Sequence, residues 1–473
     1  MAHKNKGTYD TQAAKELSLD QLKGIFADHG CQQIYIKKLS PNDNSKNQPY
    51  FGGHLTDIAY LPSSDIETSL SKSNKPKKLK QQIKYQASLD LAWIDAEGQT
   101  YPSPNTKLIY YPQYPETRFS GFLKGSKASL SEWMDPYKNG RSQGRWLILG
   151  VTDEQKILAY LVTPKAYLSQ ELEGFNFVDS IGVFYTLKTQ GTQNKKSSRE
   201  SLLERLKEIH EMGWISSSKL NTDGVAVSYT AQNGGGYTLE AQLGVKPNGI
   251  AEPDFLGWEV KQFGVTRFPR IGAKPTTLMT PEPTGGVYRS QSAIEFVKLY
   301  GYPDRRGTPD RLNFGGKHIA DTKHKLTNLK LTIIGFNAES NSITDAAGEV
   351  ALIDDNNDIA ASWGFPKLMN HWKRKHSQAV YVPCLKQKNS TSNTIEYHYG
   401  ADIELGTGTS FQRYLTAMSA GFVFYDPGIK LENVSSPKPK IKKRSQFRVN
   451  HKNLNGLYDK FEHIDLTQIK SKA

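Results

Sequence analysis

The sequence predicts two domains of different class: an all-β first part with short helices, and an α/β second part. Three observations carry this. The chain has 473 residues, more than one ordinary hydrophobic core serves. Its first half is a succession of short strand-like runs without the strand–helix–strand rhythm of parallel sheets. Its second half mixes helical and strand periods.

In chain order, the stretch from Leu17 through Leu22, Ile25 and Phe26 has the apolar stripe of a short amphipathic helix. "QQIYIKKLSPNDN" alternates as a strand running into a turn. "QASLDLAWID", "TKLIYYPQY", "RWLILGVTD" and "ILAYLVTP" follow as strands separated by Pro, Gly and Asn, which fits a small barrel or sandwich. "LKTQGTQNKKSSRES" is polar, basic and aperiodic, as a linker is. The expected boundaries are a first domain at 1–187, a linker at 188–199 and a second domain at 200–473. Ser197 and Glu200 then form a capping-box pair, and Leu202, Leu203, Leu206 and Ile209 share one helix face that Gly213 can end. Further on, "FPKLMNHWKRKH" and "SFQRYLTAMSA" read as helices, while "LKLTIIGFN", "SQAVYVPCL", "NTIEYHYG" and "GFVFYDPG" read as strands.

Composition narrows the partners. Lys and Arg number 61 against 47 Asp and Glu, a net charge of +14. Basic residues cluster at 72–84, 195–199, 371–376 and 438–448. A polyanion such as nucleic acid accounts for this, because neutralising phosphates drives such binding. Cys31 and Cys384 are the only cysteines, which excludes a disulfide scaffold and a cysteine zinc site and fits a reducing cytoplasm. No apolar run is long enough to span a bilayer, and the first residues lack the apolar core of a signal peptide. A cytoplasmic protein with no membrane partner is expected.

The chemistry concentrates in "GIAEPDFLGWEVKQFG", residues 249–264. Residues two apart in a strand share a face, so Trp258 and Val260 point one way and Glu259 and Lys261 the other. A bend near Gly257 would bring Asp254 to Glu259. Two converging carboxylates suit Mg²⁺, a hard ion that prefers oxygen and keeps several waters. A lysine beside them can orient a water nucleophile and offset charge on a phosphodiester. The competing reading is an ion pair on an exposed sheet face. Two other short matches, Glu154-Gln155-Lys156 and Asp321-Thr322-Lys323, lack a strand context and read as solvated surface. Upstream, "YTLEAQLGV" reads as a short helix carrying Glu240, and the preceding glycines would let it start close to a ligand or a strand. No Gly-Lys-Ser/Thr follows those glycines, so no ATP requirement is expected.

"PDFLGWEVK" matches the PD-(D/E)xK nuclease signature, and its spacing resembles the MvaI/BcnI restriction endonucleases, with Glu240 placed as in MutH-type enzymes. "MGWISSSK", "LMTPEPTGG", "LYGYPD", "LNFGGKHIADT", "FPKLMNHWKRKHSQAVYV" and "KKRSQFRVNHKNLNGLYDKFE" extend the resemblance over most of residues 200–465. It implies a PD-(D/E)xK fold with a central mixed sheet, and a monomeric Mg²⁺-dependent enzyme of the bacterial cytoplasm. Such enzymes cut double-stranded DNA at CC-W-GG or CC-S-GG sites, where W is A or T and S is C or G. Asp254 and Glu259 would bind the metal, Lys261 would position water, and Glu240 would assist. Arg448 would read guanine, with Lys443, Arg444 and His318 as further DNA contacts; Lys442, Lys443 and Arg444 stand where MvaI-like tails carry histidines.

"YIKKLSPNDN", "IYYPQYPETRFSGFLKG" and "RWLILGVTDEQ" resemble the B3-like effector domain of EcoRII-type enzymes, a pseudobarrel whose two arms grip the major groove. The arms would be residues 37–44 and 118–127, offering Lys37, Lys38, Asn42, Asp43, Arg118 and Lys124. The combined resemblance implies two DNA sites per chain. The alternatives are a MutH-like nickase that depends on a partner, and a DNA-binding regulator that does not cleave.

Overall fold

The structure is a computed structural model that describes residues 8–41, 48–70, 83–112, 114–189, 197–231, 233–246, 254–270, 272–390 and 394–469. The chain divides into two compact units, Met1–Lys195 and Lys196–Ala473.

In the first unit, helix α1 (Gln12–Glu16) precedes α2 (Leu19–Asp28), which starts at a Ser18 capping box and buries Leu19, Leu22 and Phe26. Twelve strands follow: β1 (Gln33–Leu39), β2 (Tyr50–Gly52), β3 (Glu67–Leu70), β4 (Ile83–Ser88), β5 (Leu91–Ile94), β6 (Thr100–Pro102), β7 (Lys107–Tyr111), β8 (Glu116–Ser120), β9 (Arg145–Val151), β10 (Ile157–Val162), β11 (Ser180–Ile181) and β12 (Phe184–Lys188). They form two sheets. One has seven strands in the order β11-β12-β1-β9-β10-β5-β6, and the other has five in the order β2-β8-β7-β4-β3. Central strands β9 and β10 are buried almost throughout, which explains why "RWLILGV" and "ILAYLV" read as apolar runs rather than alternating ones. Among the described residues the hydrogen-bonded strands do not close into a barrel.

The second unit opens with α3 (Ser198–Glu211). Ser197 and Glu200 make both capping-box bonds, and Leu202, Leu203, Leu206 and Ile209 are buried. Strand β13 (Ile215–Ser216) and helix α4 (Gly234–Gln242) lead to β14 (Glu259–Gly264). Later come α5 (Phe365–His376), β15 (Gln378–Lys388), β16 (Ile395–Tyr399), β17 (Asp402–Thr407) and β18 (Lys460–Asp465). The central sheet runs β13-β16-β15-β17-β18, and β14 also pairs with β15. The β14–β15 pairing is parallel and the others are antiparallel, so the sheet is mixed. Leucines of α3 and α4 pack with Trp258, Val260, Val380 and Val382 in one core. Trp258 and Val260 point into that core, so strand alternation sends Glu259 and Lys261 to the other face. Among the described residues no helix is long and apolar enough to cross a membrane.

Candidate active site

Asp254 and Glu259 meet through a tight reversal of the chain. Phe255 and Trp258 exchange backbone hydrogen bonds of 3.0 and 2.8 Å around Leu256 and Gly257. Both intervening residues have positive φ, +48° and +86°, the signature of a two-residue hairpin turn. Glycine takes that conformation without cost, whereas Leu256 is held in it against its side chain. The turn folds Asp254 back beside the start of β14, where its Oδ2 accepts from the Val260 N–H at 2.9 Å.

Glu259 is fully buried, not exposed as in an ordinary sheet-face ion pair. Lys261 Nζ donates to its Oε1. A second ammonium arrives from α5: Lys375 Nζ stands 3.2 and 3.4 Å from the two carboxylate oxygens. Burial drives the Glu259 carboxyl up, but Lys261 and Lys375 outweigh it and hold the group below its usual range, ionised. Lys261 is the mirror case. Burial works to lower its pKa, but Glu259 and Asp254 hold it above the ordinary lysine value, so it stays an ammonium and donates rather than accepts protons. His376, the last residue of α5, is buried and held neutral, its pKa pushed down by burial to about 4. Its ring nitrogens stand 2.9 Å from Leu278 O and 3.2 Å from Tyr458 Oη, fixing the helix end that delivers Lys375.

Glu240 lies on α4, which begins within its own glycines. A Cβ on Gly234 would come within 2.7 Å of Ser217 Oγ and 2.8 Å of Tyr397 Oη, so only glycine lets the helix start this close to the sheet. Burial and the neighbouring Asp254 charge push the Glu240 carboxyl up to about 7. Burial and Glu259 raise Asp254 as well. Three carboxyls thus face two ammoniums, and negative charge on Glu240 and Asp254 is disfavoured unless a further cation offsets it.

That imbalance fits a divalent cation. Among the described residues no three His, Cys, Asp or Glu side chains form a metal cage by themselves. The carboxylates suit an ion that takes one or two of them and keeps its waters, as Mg²⁺ does. Sequence reasoning missed Lys375. "HWKRKH" advertised only a basic helix, and no local spacing ties residue 375 to residue 259. Replacing Lys375 with methionine is expected to raise the Glu259 pKa and to slow cleavage about tenfold more at pH 6 than at pH 8. Parallel pH–rate profiles would show this, and an equal loss at both pH values would contradict it.

The DNA-reading candidates are scattered. The Arg448 guanidinium is engaged within the protein, donating to Asp426 Oδ2 at 2.8 Å and to Pro275 O at 2.6 Å. Lys443 and Arg444 are exposed, with Lys443 Nζ over the Tyr288 ring. His318 corrects an expectation. It is fully buried between Phe314 and His324, its Nε2 is 3.0 Å from Thr327 Oγ1, and burial drives its pKa to about 3. Enclosed like this, it offers no nitrogen to a duplex and is a core histidine. In the first unit, Lys38 pairs with Glu173 at 2.6 Å, and Lys124 is exposed on the turn after β8. Lys37 and Arg118 line a common cavity. Asn42 and Asp43 lie outside the described residues.

Residues 203–458, more than half of the chain, match the model of the MvaI/BcnI restriction endonuclease family. The chain belongs to the MvaI/BcnI restriction endonuclease family. It is a site-specific deoxyribonuclease, a restriction enzyme of type II. The match spans Glu240, Asp254, Glu259, Lys261 and Lys375 and leaves the first unit outside it. Among solved structures, the chain resembles restriction endonuclease MvaI in complex with its cognate DNA at 19% identity and a TM-score of 0.42. That likeness covers 57% of this chain and 99% of the other. MvaI without DNA gives 16% identity and a TM-score of 0.30, over 58% and 100%. No curated protein matches the chain.

Proposed function

We propose that residues 200–473 hydrolyse phosphodiesters of double-stranded DNA at one short CC-W-GG or CC-S-GG-like site with Mg²⁺, and that residues 1–187 hold a second copy of that site. The observation that carries the reading is the convergence of Glu240, Asp254, Glu259 and Lys261 at one sheet edge of a family member. Asp254 and Glu259 would hold the cation. When bound, it supplies a Lewis acid to the phosphoryl oxygen. Lys261, kept an ammonium, orients the attacking water and offsets charge on the phosphate. Glu240, with a pKa near neutrality, is the group suited to take the proton that water gives up. Lys375 positions Glu259 and keeps it ionised.

The two sheets of the first unit, with Lys37, Lys38 and Arg118 on them and Lys124 on the turn after β8, support its reading as a B3-like DNA-binding pseudobarrel. Tethering two DNA-binding units raises the effective concentration of each for a second site. We read the enzyme as a monomer of the bacterial cytoplasm.

The test is digestion of plasmids bearing one or two sites, with Mg²⁺, by wild type and by Asp254→Ala, with the ends sequenced. Discrete ends at one motif from wild type alone, formed at least about tenfold faster on the two-site plasmid, are expected. Intact DNA from both proteins would favour a non-cleaving regulator. A single-strand nick that needs an added partner would favour a MutH-like role. A protein lacking residues 1–187 that cuts at the same rate would remove the effector.

A further inference from the structure

Between the two sheets of the first unit lies a cavity of about 210 Å³. Three cationic side chains line it, Lys37, Arg118 and Arg145, and among the described residues no carboxylate does. Lys37 and Arg145 come from neighbouring strands of the seven-stranded sheet. Arg145 pairs with Leu39, two residues beyond Lys37, so the two cations share a face. Arg118 comes from the five-stranded sheet, across the cavity, where it pairs with Tyr50.

Arg145 is 1% exposed and, among the described residues, has no carboxylate partner. Its Nε donates to Ser142 O at 2.8 Å and one terminal nitrogen to Trp133 O at 3.0 Å. The other terminal nitrogen reaches only Ser40 O, at 3.5 Å, a distance at which little bonding remains. An arginine has five N–H donors and keeps its charge, so a fully buried one without a counter-ion is costly. Burial already pulls its pKa down to about 10. Arg118 pairs with Glu116 at 2.6 Å and donates to Gln48 O at 3.1 Å, yet among the described residues its buried Nε has no partner. Among the described residues Lys37 makes no ion pair; its ammonium sits 5.9 Å above the Phe184 ring. Among the described residues, three positive charges against the single carboxylate of Glu116 leave the cavity cationic, with donors unspent.

We propose that this cavity is a phosphate-binding site that anchors the DNA backbone to the first unit, an assignment that rests on the reading of that unit as a DNA-binding domain. Its position favours a backbone phosphate over a free one. Ser40 and Pro41 in its wall belong to the segment read as one groove arm, and Arg118 begins the other. A phosphate held here would tie the roots of both arms and supply the anion that Arg145 lacks.

The test is a coupling measurement on the full-length protein in EDTA, where no cleavage intervenes. A neutral methylphosphonate is walked, one position at a time, through a duplex carrying two CC-W-GG sites. Wild type is compared with Arg145→Gln and with Lys37→Gln, the latter at the edge of the cavity should the buried substitution fail to fold. One position is expected to weaken wild type about tenfold and the variants not at all. Equal losses at every position for wild type and variants would overturn the proposal. In a second arm, inorganic phosphate replaces chloride at constant ionic strength and the thermal midpoint is read. A rise in wild type alone, with no coupled methylphosphonate, would make this a free-phosphate site and overturn the DNA assignment. The digestion assay separates the two readings. Two-site stimulation without coupling sinks the anchor and spares the effector, whereas coupling without stimulation does the reverse.

Discussion

Glu259→Gln is expected to abolish cleavage, by at least about a thousandfold, and to lower the thermal midpoint by about 6–12 °C. The activity loss follows from removing a metal-binding carboxylate. The stability loss follows from burial. Glu259 is 0% exposed and is the shared counter-ion of two ammoniums. Glutamine keeps the shape but leaves Lys261 and Lys375 facing one another without an anion, and breaking a buried pair from one side costs about 3 kcal/mol. Asp254→Asn is the control. It should be equally inactive, but the asparagine carbonyl can still accept from the Val260 N–H, and the substitution removes a charge that its surroundings disfavour. Its thermal midpoint should match or exceed that of wild type. Calorimetry of both variants decides the matter; an Asp254→Asn protein less stable than Glu259→Gln would refute this account of the charges.

The second large effect is with pH. Glu240 has its carboxyl pushed from 4.5 to about 7 in the folded protein. Between those values the unfolded chain has released the proton and the folded chain retains it. Stability of the metal-free protein therefore falls as pH rises from about 4.5 to about 7 and levels off above. The loss is on the order of 2 kcal/mol after allowing for the partial exposure of Glu240. Glu240→Gln should flatten this slope, matching wild type near pH 4 and exceeding it near pH 8 in urea melts. Cleavage should move oppositely in wild type, rising through pH 7 as Glu240 gains the ability to accept a proton. A wild-type rate that is level from pH 6 to pH 8 would remove Glu240 from that role.

How much of the site could be read from the sequence depends on how local each contact is. Asp254, Glu259 and Lys261 were legible because a strand fixes which residues share a face. The bend that Gly257 suggested is a two-residue turn with Leu256 also at positive φ, a conformation no leucine announces. Glu240 was legible through its glycines. Lys375 was not, because its helix meets Glu259 across 116 residues of sequence, and only the folded sheet brings them together. His318 misled because "GGKHIAD" is polar in sequence, while the nearby Phe314 and His324 and the sequence-distant Tyr425 enclose it. Arg145 was hidden differently. It heads the apolar run "RWLILGV", and the backbone of Ser142, Trp133 and Ser40 that folds around it is nothing strand periodicity reports. The strands themselves were legible in both units, because buried central strands keep unbroken apolar runs that no packing detail can disguise.

The split origin of the Glu259 clamp has a consequence for how this protein comes to life in a cell whose own DNA it could cut. Synthesis delivers the turn at residues 254–259 more than a hundred residues before Lys375. Until α5 docks, Glu259 has one of its two ammoniums. A chain still on the ribosome, or one whose α5 has come loose, therefore carries the recognisable half of a nuclease without its working charge balance. Cutting power would then switch on with completion of the fold and lapse with its first large opening, leaving no half-folded form to damage a chromosome.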